Sequence, residues 1–195
     1  MMLVELSSRS FEFYHMDTKA ISQCLSELET KLDGILCREG FWRSVARMPE
    51  SEFEWRRWIR ETSWKRDVVE LAFPQERFTE SVGFAEVHLR AELRYPGNDE
   101  GLFDGTTVSG LSGEASGHYQ FPGSLGLFRN RALAKYRDNV LRDVAQSLKW
   151  FSSFETPAQS LKRLQSGETS VGPIKDTGAA RQAFDFLSSM LTKKT

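Results

Sequence analysis

Ala85, Val87, Leu89, Ala91, Leu93 and Tyr95 alternate with Glu86, His88, Arg90, Glu92 and Arg94. Successive side chains of a strand point to opposite faces, so this alternation requires a sheet with one buried and one polar face. A helical period of 3.6 cannot segregate the same residues. Pro96 and Gly97 end the run. Three shorter segments precede it: Phe41 to Met48, stopped by Pro49; Phe53 to Glu61, rich in aromatics; and Arg66 to Phe73, stopped by Pro74. Their short connections predict an antiparallel meander.

Helical spacing brackets these strands. Ile21, Cys24, Leu25, Leu28, Leu32, Ile35 and Leu36 share one helical face, with Asp17 or Thr18 as a possible start and Gly40 as a left-handed C-terminal cap. Leu3 to Met16 is ambiguous, because Phe11, Phe13 and His15 alternate with polar or aromatic neighbours and also fit a short strand or an extended arm. A second helix is predicted by Leu133, Tyr136, Val140, Leu141, Val144, Leu148 and Phe151. Thr156-Pro157 starts a short helix that Gly167 closes, and Ala180, Ala183, Phe184, Leu187 and Leu191 mark a last one.

Residues 96–131 hold eight of the fourteen glycines and no lysine. A structureless loop of this length is unusual in a compact domain. Either short strands lie here, with Thr106 to Leu111 and His118 to Phe121 as candidates, or the segment is a flap. The fold class expected is α+β: a four- or five-stranded, mainly antiparallel sheet with the 17–39 and 131–151 helices on one face, where Ala85, Val87, Leu89, Ala91 and Leu93 are buried. Residues 1–166 form one domain with the Gly-rich insert 96–131; residues 167–195 are a linker and a C-terminal helix that packs on it.

Composition narrows the function. Lys+Arg is 26 against Asp+Glu 27, which disfavours nucleic-acid binding by bulk charge. No apolar run reaches membrane-spanning length, and the first residues show no basic-then-apolar secretory pattern, so the expected location is cytoplasmic, without a membrane. Cys24 and Cys37 lie about 20 Å apart along one helix, too far to pair there.

The most unusual local composition runs from Trp55 to Arg66. Trp55, Trp58 and Trp64 stand among Arg56, Arg57, Arg60, Lys65 and Arg66. Interleaved rings and cations suit a single-stranded nucleic-acid platform, a protein interface, or a strand whose rings fill the core under arginine stems. His88 lies on the polar face of the best strand and would resemble a general base if a neighbouring strand supplied a carboxylate such as Glu70. His118 and Tyr119 fall in the Gly-rich insert. The acids Asp99, Glu100, Asp104 and Glu114 suit a basic partner surface. No P-loop, G-x-S-x-G, H-E-x-x-H, C-x-x-C or calcium-loop pattern occurs.

The order of these features carries a resemblance. An amphipathic helix runs into Gly40-Phe41, aromatic strands follow, and Leu148-Lys149-Trp150-Phe151, Phe154, Thr156-Pro157 and Leu161 come near the end. Over about residues 17–166 this resembles a family of small, uncharacterised bacterial α+β domains of unknown function. The resemblance implies an immunity-type role, since such domains often accompany toxin loci. The function expected is a non-enzymatic protein-binding domain with a protein partner, of toxin type, and no cofactor or metal. Its contacts are expected among Trp55, Arg57, Trp58, Arg60, Trp64, Asp99, Glu100 and Asp104. Two alternatives stand beside it: a small-molecule-binding or hydrolase-like enzyme with a pocket under the insert, using His88 or His118, and single-stranded nucleic-acid binding through the Trp55–Arg66 stretch.

Overall fold

The computed structural model describes residues 6–44, 53–74, 86–97, 100–112, 129–171 and 178–192. Five strands form one antiparallel meander in chain order: β1 (Trp42–Ser44), β2 (Phe53–Glu61), β3 (Lys65–Pro74), β4 (Glu86–Arg94) and β5 (Glu100–Thr107). The helices are α1 (Leu6–Arg38), α2 (Val108–Ser112), α3 (Arg129–Ser147), α4 (Pro157–Ser166) and α5 (Gly178–Thr192). A 3-10 helix, Leu148–Phe154, joins α3 to α4. The fold is α+β, as the alternating strand and the flanking helical periods require.

The inward face of the sheet carries two neighbouring apolar clusters. Leu28, Leu32 and Leu36 of α1 and Tyr136, Val140 and Val144 of α3 pack with Trp58, Val69, Leu71, Val87 and Leu89. Leu164 of α4 and Ala180, Ala183 and Leu187 of α5 pack with Ala91, Leu93, Phe103 and Trp64. Val87, Leu89, Ala91 and Leu93 are buried as the alternation predicts; Ala85 lies outside the described residues. Ile59, Val68 and Ala72, of opposite parity, are also buried but belong to neither cluster. They share the outer face with Arg57, Arg66 and Arg90, whose aliphatic stems suit such cover.

The helix ends follow their local chemistry. Gly40 takes φ +81°, Phe41 N–H donates to the Leu36 carbonyl at 3.0 Å, and Gly40 N–H donates to Cys37 at 3.1 Å. This is a Schellman closure, which needs the left-handed glycine. At α4 the Thr156 hydroxyl accepts from the Gln159 N–H at 3.2 Å, while the Gln159 side chain accepts from the Thr156 N–H at 2.9 Å. Pro157 follows at the first helical position.

Two expectations need correction. First, Leu6 to Met16 is helix, neither strand nor arm, and Asp17 and Thr18 lie inside the helix; Leu3 to Glu5 lies outside the described residues. Extending a nucleated helix costs less than starting another structure, and the short aromatic alternation does not outweigh it. Second, Thr106 to Leu111 is not a strand: β5 ends at Thr107 and α2 follows. The strand lies earlier, where a register shift between Ala91 and Glu92 lets β5 follow β4. Gly101 is required there, since a Cβ would approach the Tyr95 ring to 2.8 Å. Of the first expected strand, Phe41 to Met48, Trp42–Ser44 is strand and residues 45–48 lie outside the described residues. His118 to Phe121 lies outside the described residues.

Leu89 has no exposed surface and sits at the centre of the larger cluster. Leu89→Ala is expected to lower stability by about 2–5 kcal/mol, read as a lower urea midpoint with an unchanged m-value. A loss below about 1 kcal/mol would contradict this placement.

Candidate functional site

The polar face of β2, β3 and β4 carries a continuous chain of ion pairs. Register sets Arg57 opposite Glu70, Glu70 opposite His88, and Glu61 opposite Arg66, which in turn faces Glu92. Arg57 Nε donates to Glu70 Oε1 at 2.7 Å, and Arg90 Nη1 lies 3.3 Å from Glu70 Oε2. Arg90 Nη2 lies 2.9 Å from Glu92, and Glu92 is 3.9 Å from Arg66. Arg66 Nε donates to Glu61 at 2.6 Å, and Arg94 lies 3.8 Å from the other Glu61 oxygen. Four arginines thus meet three glutamates. Glu70 and Glu92 are buried, while Arg90 and Arg94 keep 31% and 39% of their side chains exposed, which makes these two the accessible cations of the chain.

A cleft opens on the other side of the sheet. It has a volume of about 470 Å³ and is walled by Glu39, the β2–β3 hairpin, Ala145 of α3 and the 3-10 helix. Arg60, Lys65 and Asp67 line it. Lys65 and Asp67 are 5% and 1% exposed. Lys65 Nζ donates to both Asp67 oxygens, at 2.9 and 3.1 Å. Arg60 donates to Asp67 Oδ2 from Nε at 3.1 Å and from Nη2 at 2.9 Å, and Nη1 donates to the Glu39 carbonyl at 3.1 Å. Its guanidinium lies 4.6 Å from the Phe41 ring centre and 5.7 Å from that of Phe151.

The sequence-predicted contact residues divide among several environments. Arg57 stands in the outer ion-pair chain and Arg60 in the cleft. Trp58 is wholly buried, and its Nε1–H donates to Asp33 of α1 at 2.5 Å. Trp64 is 7% exposed in the smaller cluster. These two rings are corrected from surface anchors to core: the strand parity that turns Arg57 outward turns Trp58 inward, and Trp64 folds over the hairpin end. Neither ring is open for stacking on a base. Trp55 pairs with Ala72 in the backbone register, and its side chain lies outside the described residues.

Asp104 is likewise corrected, being 6% exposed. Its Oδ1 accepts from the Ser170 N–H at 3.1 Å and the Ser170 hydroxyl at 2.8 Å, while Arg163 Nη2 donates to Oδ2 at 3.2 Å. It joins β5 to the segment after α4 instead of facing a partner. Glu100 pairs with Arg94 in the backbone register, and Asp99 and His118 lie outside the described residues. His88 does face Glu70 across the strands, but Arg57 and Arg90 already hold both Glu70 oxygens. Neither described cleft is lined by His88.

Lys65 and Asp67 were missed as cleft residues. Their signal was present: in Lys65-Arg66-Asp67-Val68-Val69-Glu70-Leu71 both share parity with Val69 and Leu71, which places two charges on the core face.

A second cleft, about 230 Å³, lies between α1 and α3 and includes Cys24, Glu27, Leu133 and Arg137. The Cys24 thiol donates to the Leu133 carbonyl at 3.5 Å. Burial pushes it up from the ordinary 9.0 to about 11; Arg137 opposes this, while Glu27 and Asp138 add to it. Among the described residues no group of three or more His, Cys, Asp or Glu is placed to hold a metal ion, and no described helix is long and apolar enough to cross a membrane. Comparison with family models, with curated proteins and with solved structures finds no match.

The raised Cys24 value has a measurable consequence. Folding retains a proton that the unfolded chain releases above pH 9.0, so the thiol's contribution is full below that pH and declines as pH rises to about 11. The stability difference between wild type and Cys24→Ala should therefore shrink between pH 9 and 11 in urea unfolding. A difference constant with pH would show that the thiol ionises equally in both states.

Proposed function

We propose that the chain is a non-enzymatic protein-binding domain, an immunity-type inhibitor, that holds a toxin partner through the polar face of its sheet. The observation that carries this reading is the ion-pair chain from Arg57 to Arg94. Arg57, Arg66 and Arg90 are held by carboxylates, and Arg94 donates to the Thr62 carbonyl at 3.0 Å, so little side-chain freedom is lost on docking. Arginine is enriched in interface hot spots, and Arg90 and Arg94 are the members with accessible surface. The excess of one cation in the chain favours a partner surface bearing carboxylates. An inhibitor of this kind needs shape and charge complementarity and no catalytic group, which accords with a sequence without a nucleophile or phosphate motif. The toxin identity of the partner rests on the family resemblance described above.

The test is affinity capture from the source cell with wild-type chain as bait, together with the identity of the adjacent gene. A toxin-domain protein is expected in the wild-type eluate. Arg90→Glu with Arg94→Glu should reduce its recovery by about tenfold or more, because like charges then meet across the interface. Lys149→Glu, away from this face, should leave recovery unchanged. Capture of no toxin-domain protein, in a cell that tolerates loss of the gene while its neighbours are expressed, would overturn the proposal.

A further inference from the structure

The charged cluster in the cleft leaves hydrogen-bond donors over. In the cleft, Asp67 accepts four bonds: one at Oδ1 from Lys65, and three at Oδ2 from Lys65 and Arg60. Oδ2 is thereby fully engaged, while Oδ1 keeps one lone-pair site. The donors are not exhausted. A lysine ammonium and a guanidinium together offer about eight N–H groups. Two go from Lys65 and two from Arg60 to Asp67, and one goes from Arg60 to the Glu39 carbonyl. The cleft floor therefore has about three donors left over against one open Oδ1 site, and Arg60, Lys65 and Asp67 together carry a net charge of +1.

Position gives that surplus its weight. Lys65 and Asp67 are buried, so solvent screens their charges poorly, while Arg60 lies beside the Phe41 ring with 33% of its side chain exposed and open to a ligand. Glu39, Lys149 and Glu155 also line the cleft, but all three are exposed, where water and salt weaken their influence on the floor. What the floor lacks is an acceptor that brings negative charge. Open volume is at hand, within the range of small-molecule sites.

We propose that this cleft binds a small oxyanion, a carboxylate or phosphoryl group, which accepts from the Lys65 ammonium and the Arg60 guanidinium. Ser152 stands at the cleft wall with its hydroxyl available as a further donor. Arg60 was expected on the sequence to contact a partner; here its partner is a small ion. The proposal is independent of the docking face, because the cleft and the ion-pair chain lie on opposite sides of β2 and β3.

The experiment is an amide NMR titration of the full wild-type chain with inorganic phosphate and, separately, with malonate, each against sodium chloride at equal ionic strength. Saturable shifts are expected at Thr62, Lys65 and Ser152, half complete below about 10 mM, and absent with chloride. Response to phosphate alone assigns a phosphoryl ligand, and response to malonate alone assigns a carboxylate. Lys65→Met should weaken binding at least tenfold. The wild-type titration decides the matter even where that variant folds poorly. Shifts that match chloride, that fail to saturate or that map elsewhere would overturn the proposal, as would equal affinity in a folded Lys65→Met.

Discussion

Among the described residues four acids of this sheet are buried, and each is held by cations from another position in the chain. Asp67 is held by Lys65 and Arg60, Glu70 by Arg57 and Arg90, Glu92 by Arg90 and Arg66, and Asp104 by Arg163. A buried carboxylate without a partner is strongly unfavourable, so each acid demands a specific neighbour. Asp67 and Glu70 stand on opposite faces of one strand. A slip of one residue in β3 would carry each acid to the wrong face, away from its arginines. Register is thereby fixed from both sides of the sheet. The same requirement extends beyond it: Asp104 ties β5 to Arg163 of α4 and to Ser170, and so docks the layer that includes α5.

Much of this fold is legible in the sequence where one local rule acts alone. The period of two from Val87 to Leu93 identifies β4 and its buried face. Gly40 identifies the end of α1, and Thr156-Pro157 with Gly167 brackets α4. Legibility fails where local signals compete with partners distant in sequence. β5 reads Glu-Gly-Leu-Phe-Asp-Gly, with no alternation, because its glycine admits Tyr95 and its aspartate serves α4. The start of α1 was obscured by three aromatics spaced like a strand.

The candidate sites were less legible for a geometric reason. The stretch from Trp55 to Trp64 places a tryptophan and an arginine on both parities, Trp55 with Arg57 and Trp58 with Arg60. Composition alone cannot choose which parity meets the core. The choice is made by β3, where Val69 and Leu71 share a face with Trp58. Ion pairs across strands depend on register, which no single segment specifies. Hence Arg57 and Arg60 were recognisable as chemically important, whereas their opposite placements, one in an outward chain and one in a cleft, were not.

The two faces of the sheet arrange their charges differently. On the outer face four arginines and three glutamates are linked in a chain, in which the buried Arg90 Nε has no hydrogen-bond partner among the described residues. In the cleft a single acid serves two cations and leaves donors unmatched. Both arrangements rest on the claim that buried acids and their arginines are coupled. A double-mutant cycle on Arg57 and Glu70 tests it directly, with Arg57→Ala, Glu70→Ala and the double variant compared by urea unfolding. The account predicts a coupling of about 1–3 kcal/mol, the double variant being less destabilised than the two single losses added. Losses that add to within about 0.5 kcal/mol would contradict it.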